Sequence, residues 1–149
     1  MKTEILKYPN KKLNKISKKV SVEEGLKIGK KLLKYVGNNN GLSAIQIGIP
    51  ATVFIFNTNK INPISKFQIV INPKIISHGR EKCVCTESCL SCPESKSVKR
   101  WKKIVVRYHD GEKSVRQELT GVSAQIFQHE FDHLQGILIS DENNKNVLT

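Results

Sequence analysis

The sequence has no apolar run long enough to cross a membrane, and its first six residues lack the features of a secretory signal. They include neither an apolar core nor a cleavage site, and they are not rich in Arg and Ser as an organelle presequence would be. A chain from which a presequence had been removed would look the same. We therefore expect a cytoplasmic protein, or an organellar one after removal of a presequence, with no membrane contact.

Acidic residues are scarce, since 13 Asp and Glu stand against 25 Lys and Arg and give a formal net charge of +12. The basic residues are spread along the chain instead of gathered into one block. Such a surface favours encounter with polyanions, so we expect a weak electrostatic contact with RNA and no specific DNA partner. The length of 149 residues predicts one domain, residues 1–149, with one core.

Four cysteines lie within one short segment, at Cys83, Cys85, Cys89 and Cys92. In a secreted chain this pattern would predict disulfides. Because no secretory signal is present, metal binding or free thiols are favoured instead.

A capping-box pattern predicts the first helix. The Ser21 hydroxyl can accept a hydrogen bond from the amide of Glu24, whose carboxylate can reach back to the cap. Apolar residues then recur at helical spacing as far as Val36, and Gly37 suits the end of the helix. Residues 38–41 (Asn-Asn-Asn-Gly) predict a loop.

Runs rich in β-branched and aromatic residues predict strands at 51–57, 67–77, 104–109 and 114–119. Pro73 lies in the second run, and we expect it at a sheet edge or a bend because proline cannot donate to a ladder. Residues 110–113 (Asp-Gly-Glu-Lys) predict a turn that joins the last two strands in a hairpin.

A second helix is predicted from residues 120–123 (Thr-Gly-Val-Ser) to Leu134, with Gly136 at its end. The polar, Asn-rich tail at 140–149 is expected to fray. A helix, several antiparallel strands and a late helix make an α+β pattern, in which we expect the strands to pack around the second helix.

Two histidines on the second predicted helix indicate a metal site. His129 and His133 are four residues apart, so their imidazoles lie on one face and aim at one point. Zinc, iron, nickel and cobalt all accept imidazole nitrogens. Glu130 lies where a general base for metal-activated water belongs, and Asp132 is a candidate either for supporting the ligands or for a place on the helix surface. The alternative is a chance pair of surface histidines.

A hydrolytic metal site uses three protein ligands and leaves one position open. Glu142 in the polar tail is a poor third ligand, whereas a thiolate from the cysteine segment binds such metals strongly. The alternative is a closed structural zinc site formed by Cys89, Cys92 and the two histidines. The gap between Cys92 and His129 is longer than in a compact zinc finger, and a closed site would leave Glu130 without a role.

Three segments resemble the motifs of the peptide deformylase family, in the family's order and at similar spacing. Residues 41–48 (Gly-Leu-Ser-Ala-Ile-Gln-Ile-Gly) resemble its glycine-rich first motif, and residues 87–91 (Glu-Ser-Cys-Leu-Ser) resemble its second. Residues 128–134 (Gln-His-Glu-Phe-Asp-His-Leu) resemble its third. The resemblance runs from about Ile5 to Asp141, and three ordered motifs are far more specific than a His-Glu-x-x-His run alone.

The resemblance implies a deformylase-like fold and a metal-dependent hydrolase. Such an enzyme removes the N-formyl group from N-formylmethionyl nascent peptides and releases formate. Cys89, His129 and His133 would bind one divalent metal, with Fe(II) expected and Zn, Ni or Co also able to bind. Glu130 would take a proton from metal-bound water and deliver it to the leaving amine.

The same resemblance implies which residues hold the substrate. Gln46 and the backbone amide of Leu90 would stabilise the oxyanion on the formyl carbon. Gly41 and Asn40 would bind the substrate backbone. Leu90 and Ile126 would line the pocket for the methionine side chain, with plain core packing as the alternative for both.

The sequence departs from the family's pattern at Asn39, Ser43, Ile45 and Ser88. None of these changes removes a side chain with a chemical role, although Ser88 lacks the backbone freedom of the glycine it replaces. Two other functions are therefore kept as alternatives. One is a relative with a different or lost substrate, and the other is a zinc-stabilised basic RNA-binding module.

Longer bacterial members of the family continue into a C-terminal helix that helps them dock on the ribosome. The chain ends soon after the third motif, so the resemblance implies a short form without this helix. The high positive charge then leaves a weak electrostatic contact with ribosomal RNA as the expected mode of ribosome binding.

Overall fold

The computed structural model describes residues 4–58 and 66–148. Within these ranges the chain forms seven strands and two α-helices in an α+β arrangement, and every pair of neighbouring strands is antiparallel. In chain order the elements are α1 (Val22–Leu33), β1 (Gly41–Ser43), β2 (Val53–Asn57), β3 (Phe67–His78), β4 (Lys82–Glu87), β5 (Lys96–Trp101), β6 (Lys103–His109), β7 (Ser114–Thr120) and α2 (Gly121–Leu134). None of the helices in the described ranges is both long and apolar enough to span a membrane.

Strand β2 explains how the two helices share one sheet. Its side chains alternate: Val53 and Ile55 belong to the apolar cluster that includes α1, whereas Phe54 and Phe56 belong to the cluster that includes α2. All four side chains are fully buried. Because both faces of the strand are covered, its sequence is a continuous apolar run. The five-stranded sheet, with the order β1-β2-β3-β6-β7, therefore lies between α1 and α2.

Helix α1 begins where the sequence predicts and ends earlier. The Ser21 hydroxyl accepts a hydrogen bond from the Glu24 amide at 3.1 Å, as the capping box requires. The helix ends at Leu33 and not at Val36, because the last residues form a separate turn before Gly37, whose φ is +57°.

The predicted hairpin and second helix are confirmed. Strands β6 and β7 pair along their whole length, and the Asp110 amide donates to the Lys113 carbonyl at 3.0 Å in the turn between them. Helix α2 runs from Gly121 to Leu134, and Gly136 follows it with a φ of +75°.

Strand β3 is central in the order of the five-stranded sheet, but β2 pairs only with its residues 67–71. Pro73 therefore lies where β3 has one paired neighbour, β6, which agrees with the expected edge position. The other expectation, a bend, is confirmed because the pairing of β3 with β6 shifts register between Ile71 and Lys74. Asn72 precedes the proline with a φ of +51°, and its side-chain amide donates to the Val20 carbonyl at 2.8 Å. A bulge of this kind accommodates a residue that has no N–H to donate.

The two-stranded β4–β5 sheet was not predicted from the sequence. Its buried positions include Glu87 and Arg100, which are only 5% and 3% exposed. Charged residues at inward-facing positions remove the polar and apolar alternation that marks a half-buried strand. The same ribbon carries the chain to Cys89, so the missed element is the one that supports the second motif.

The polar tail differs from the predicted fraying, because it pairs with β5. The Leu148 amide donates to the Ser97 carbonyl at 2.8 Å, and the Lys99 amide donates to the Asn146 carbonyl at the same distance. Backbone hydrogen bonds thus fix a segment that is mostly polar. Thr149, the last residue of the predicted tail, lies outside the described residues.

Candidate metal centre and pocket

Helix α2 and the segment after β4 bring three metal-binding side chains together. The ligand atoms of Cys89, His129 and His133 all lie within 4.8 Å of one another. The Cys89 Sγ is 3.5 Å from Nε2 of His133, and the two imidazole rings have centroids 5.0 Å apart. In the part of the chain that the structure describes, this is the one group of three or more His, Cys, Asp or Glu side chains placed to hold a metal ion.

The two imidazoles are prepared for metal binding in different ways. His129 Nδ1 lies 2.9 Å from Oε1 of Glu87, so it donates to that carboxylate and leaves Nε2 available to bind a metal ion. Burial works against a charged His129, but the hydrogen bond to Glu87 and the charge of Glu130 raise its pKa. Burial lowers the pKa of His133 well below its usual value, which keeps that ring neutral and able to bind.

A buried arginine fixes the carboxylate that holds His129. Arg100 donates from Nε and Nη2 to the two oxygens of Glu87 at 2.8 and 2.7 Å, and from Nη1 to Asp132 at 2.6 Å. Burial opposes the ionised carboxylate, yet the hydrogen bonds from Arg100 and His129 lower the pKa of Glu87 to about 2. The ion pairs link β4, β5 and α2, so one guanidinium orients the imidazole through Glu87.

The Glu130 carboxyl group stands beside the candidate ligands without a partner of its own. It is 4% exposed, and no hydrogen bond to its Oε1 exists within the described residues. Burial raises the pKa of Glu130 to about 7. A Cβ at Gly41 would lie 2.6 Å from Oε2, so the glycine leaves the room that this carboxyl group occupies. A group of this kind can take up and release a proton near neutral pH.

The Gln46 side chain is held at both ends. Its Oε1 accepts from the Ser43 amide at 3.0 Å. Its Nε2 donates to the Ser91 hydroxyl at 3.0 Å and lies 3.5 Å from the Cys89 Sγ. The one-turn 3-10 helix at Ala44–Ile47 therefore presents an amide N–H next to the candidate thiolate ligand.

The N-terminal segment 6–8 ties the first two motifs together. Its backbone amides donate to the carbonyls of Gln46 and Ser91, each at 2.7 Å. The Lys7 ammonium group donates to the Leu90 carbonyl at 2.6 Å. These contacts fix the loop that carries Cys89, although loops are generally the more mobile parts of a protein.

Cys92 lies next to Cys89 but outside the group of candidate ligands. The interaction with the Cys92 thiol, followed by burial, raises the pKa of the Cys89 thiol. The same interaction lowers the pKa of Cys92 to about 6. A cation between Cys89 and the histidines would favour the ionised form of Cys89 instead. The geometry gives no support to the four-ligand structural zinc site, since the described ligand group contains three residues.

A cavity of about 230 Å³ opens beside Cys89 and His129, two of the three candidate ligands. Its walls include Asn40, Gly41, Gln46, Leu90 and Ile126, which are the substrate residues that the sequence predicts, together with Cys89, His129 and Glu130. Leu90 also packs against the apolar cluster that includes α1, and Ile126 against the cluster that includes α2. Each residue therefore both lines the cavity and packs against the core. The remaining wall is mostly polar and consists of Asn38, Asn39, Thr86, Glu87, Ser88 and Gln125.

The donor set fits a borderline divalent metal. One sulfur and two imidazole nitrogens suit zinc, iron, nickel or cobalt better than the oxygen-preferring magnesium or calcium. Glu130 lines the same cavity, and its Oε1 has no hydrogen-bond partner among the described residues. The arrangement therefore suits water activation next to a bound substrate.

Sequence reasoning assigned no role to Glu87, Arg100 or Ser91. Glu87 was quoted within the second motif, but nothing in the sequence indicated that it binds His129. Arg100 lies in a strand that was not predicted, so its burial could not be predicted either. Ser91 could have been suspected only from its place beside Cys89. Asp132 was expected to support the ligands, and it contacts Arg100 and not a histidine.

Comparison with known proteins identifies one family. The sequence profile of the family described as polypeptide deformylase matches residues 2–147. The peptide deformylase of Pseudothermotoga lettingae is 38% identical over 109 residues, which are 72% of this chain and 60% of that protein. The chain thus spans less than two thirds of that relative. The peptide deformylase of Afipia carboxidovorans is 33% identical over 148 residues, which are 95% of this chain and 86% of that protein.

The fold agrees with solved structures of the same name. The crystal structure of a probable peptide deformylase from Synechococcus phage S-SSM7 superposes with a TM-score of 0.83 at 29% identity. The superposition covers 92% of this chain and 97% of the phage protein. The sequence-based expectation of a deformylase-like α+β fold is confirmed.

Proposed function

Because the chain belongs to the polypeptide deformylase family, we propose that it removes the N-formyl group from N-formylmethionyl peptides and releases formate. One observation carries the proposal. The ligand atoms of Cys89, His129 and His133 lie within 4.8 Å of one another, and the unpartnered carboxyl group of Glu130 borders the same cavity. The whole chain would act as one catalytic domain.

Cys89, His129 and His133 would hold one divalent metal ion, for which we propose Fe(II), with Zn, Ni and Co as substitutes that the same donors accept. The metal would supply a Lewis acid that makes water nucleophilic at neutral pH and polarises a carbonyl oxygen. Arg100 and Glu87 would keep the His129 ring turned toward the metal through the Nδ1 hydrogen bond.

Glu130 would act as general base and then as general acid. Its buried carboxyl group has a pKa of about 7, so it exchanges protons readily at neutral pH. It would accept a proton from the attacking water and deliver it to the amine that leaves as formate forms. Gly41 would keep the carboxyl group in position by offering no side chain in its path.

The oxyanion that develops on the formyl carbon would be stabilised by hydrogen bonds from Gln46 Nε2 and the Leu90 amide. Gln46 is suited to this role because Ser43 and Ser91 fix its orientation before substrate arrives. Asn40 and Gly41 would bind the peptide backbone, and Leu90 and Ile126, which both line the cavity, would contact the methionine side chain.

The proposal is tested by mixing anaerobically metal-loaded protein with formyl-Met-Ala-Ser and, as the matched control, acetyl-Met-Ala-Ser. We expect formate and a new free amino group to appear in equal amounts from the formyl peptide. The acetyl peptide should react at least about a hundredfold more slowly, because its extra methyl group meets the catalytic residues. If fully loaded protein releases no formate, the deformylase proposal fails.

The partners we propose are formylated nascent peptides, which the protein would bind in the cytoplasm or inside an organelle. A weak ribosome contact would follow from the net charge of +12. Co-sedimentation with ribosomes should then fall steeply between low and moderate salt. Binding that does not change with salt, or no binding at low salt, would contradict this electrostatic contact.

A further inference from the structure

Cys92 is a thiol that the proposed reaction does not use. It follows Cys89 by three residues in a tight turn, and its amide donates to the Cys89 carbonyl at 3.0 Å. Such a turn holds its end residues less than about 7 Å apart between Cα atoms, which overlaps the range of about 4.4–6.8 Å found in disulfides.

The two cysteines differ in what surrounds them. Cys89 belongs to the candidate ligand group and lines the cavity, so a small oxidant that enters the cavity reaches its sulfur. Cys92 is half-buried and does not belong to the ligand group of the described residues. The second thiol therefore lies next to the cavity-lining cysteine and is not one of the candidate metal ligands.

We propose that Cys92 is a resolving thiol that converts oxidised Cys89 into a reversible Cys89–Cys92 disulfide. Hydrogen peroxide first oxidises the Cys89 thiol to a sulfenic acid, and one water molecule is released. The Cys92 sulfur then attacks the sulfenic sulfur, the S–S bond forms and the S–O bond breaks, and a second water leaves. A dithiol reductant reverses the modification by reducing the disulfide to two thiols as it becomes oxidised itself.

Formation of the Cys89–Cys92 disulfide would weaken metal binding. A disulfide removes the thiolate donor, so the remaining two imidazoles hold the ion weakly and it dissociates. Without Cys92, further peroxide would carry Cys89 to the sulfinic or sulfonic acid, which ordinary thiols do not reduce. With Cys92 present, oxidation of the Cys89 ligand is therefore reversible. Reduction of the disulfide and addition of metal restore the site. The inference does not depend on which amide the site hydrolyses.

A second cysteine pair provides the internal comparison. Cys83 and Cys85 lie on β4 with their Sγ atoms 3.3 Å apart. They are not among the candidate ligands. Cys85→Ser removes a neighbouring thiol from the same segment without touching the Cys89–Cys92 turn, so it serves as the matched control for Cys92→Ser.

The test is to titrate metal-loaded protein with hydrogen peroxide, block the remaining thiols with iodoacetamide, and map the modified peptides by mass spectrometry. In the wild type and in Cys85→Ser we expect a disulfide between Cys89 and Cys92, release of the metal, and recovery of both thiols and of metal binding with dithiothreitol. In Cys92→Ser we expect two or three oxygen atoms on Cys89 and no recovery. Metal content before oxidation should equal that of the wild type.

Two results would overturn the proposal. One is equal over-oxidation of Cys89 in the wild type and in Cys92→Ser. The other is a disulfide that joins Cys83 to Cys85 while Cys89 is over-oxidised. If Cys92→Ser does not fold, Cys92→Ala gives the same comparison, with the far-UV circular dichroism of the metal-loaded protein as the check on folding. No formylated substrate is used, so this result and the formate assay fail independently.

Discussion

At the scale of single residues, the site depends on what is missing as much as on what is present. Glu130 has a buried oxygen without a hydrogen-bond partner in the described residues, and Gly41 has no side chain where that carboxyl group lies. Burial of the unpaired carboxyl group costs stability. Both features leave the carboxyl group free to contact water and substrate.

Gly41→Ala tests this arrangement. The new Cβ would lie 2.6 Å from Glu130 Oε2, so the carboxyl group must turn away. We expect the rate of formate release to fall by about a hundredfold, since a displacement near 1 Å at a catalytic group has that effect. Metal content should stay unchanged. Gly79→Ala is the control, because its Cβ would make an ordinary 3.5 Å contact with Lys103. Equal rates for both variants would contradict the role of Gly41.

The sequence predicts the chemical roles of single residues better than it predicts which residues they contact. His129, His133 and Glu130 follow from helical spacing, because one helix carries all three. Cys89 as the third ligand needed the family resemblance, since periodicity does not relate a loop residue to a helix forty residues later. The hydrogen bond from His129 to Glu87 could not be predicted, because it depends on how β4 packs against α2.

At the scale of elements, Arg100 joins three segments that are far apart in sequence. Its guanidinium contacts Glu87 at the end of β4 and Asp132 in α2, and all three charged groups are largely buried. Elements with a regular apolar pattern, such as α1, α2 and the β6–β7 hairpin, were predictable. The β4–β5 ribbon was not, because the charged residues Glu87 and Arg100 are buried in it beside Val98 and break the apolar pattern.

Arg100→Met should destabilise the protein by about 3–5 kcal/mol, because two buried carboxylates lose their cation. Urea unfolding of the metal-free protein measures the change. Lys102→Met is the control, since Lys102 forms an exposed ion pair with Glu81 at 3.2 Å, and its loss should cost less than about 1 kcal/mol. A change below about 1 kcal/mol for Arg100→Met would show that the buried pairs do not hold the ribbon to the helix.

At the scale of the whole molecule, the fold gathers three distant motifs around one cavity. Gln46 follows an edge strand of the large sheet, Cys89 follows the small sheet, and the histidines come from the helix between them. The metal would therefore connect the β4–β5 sheet to α2 as a shared ligand set. Because the unfolded chain cannot form this set, metal binding should add to the stability of the fold.

Metal removal should lower the melting temperature. At a free metal concentration of about 100 times Kd, binding stabilises a protein by about 2.7 kcal/mol. For a chain of this length that corresponds to roughly 5–10 °C. Differential scanning fluorimetry with and without Co(II) measures the shift, and Cys89→Ser and His133→Ala should lose most of it. A shift that persists in both variants would show that the ion binds elsewhere.

The most direct test of the account compares formate release by the wild type and by Glu130→Gln, both anaerobically loaded to the same measured metal content. The account predicts that the wild type releases formate from formyl-Met-Ala-Ser. It also predicts that Glu130→Gln is slower by about a hundredfold or more, since the general base and acid is gone while the ligands stay. Equal rates at equal metal content, or no formate from fully loaded wild type, would contradict the account.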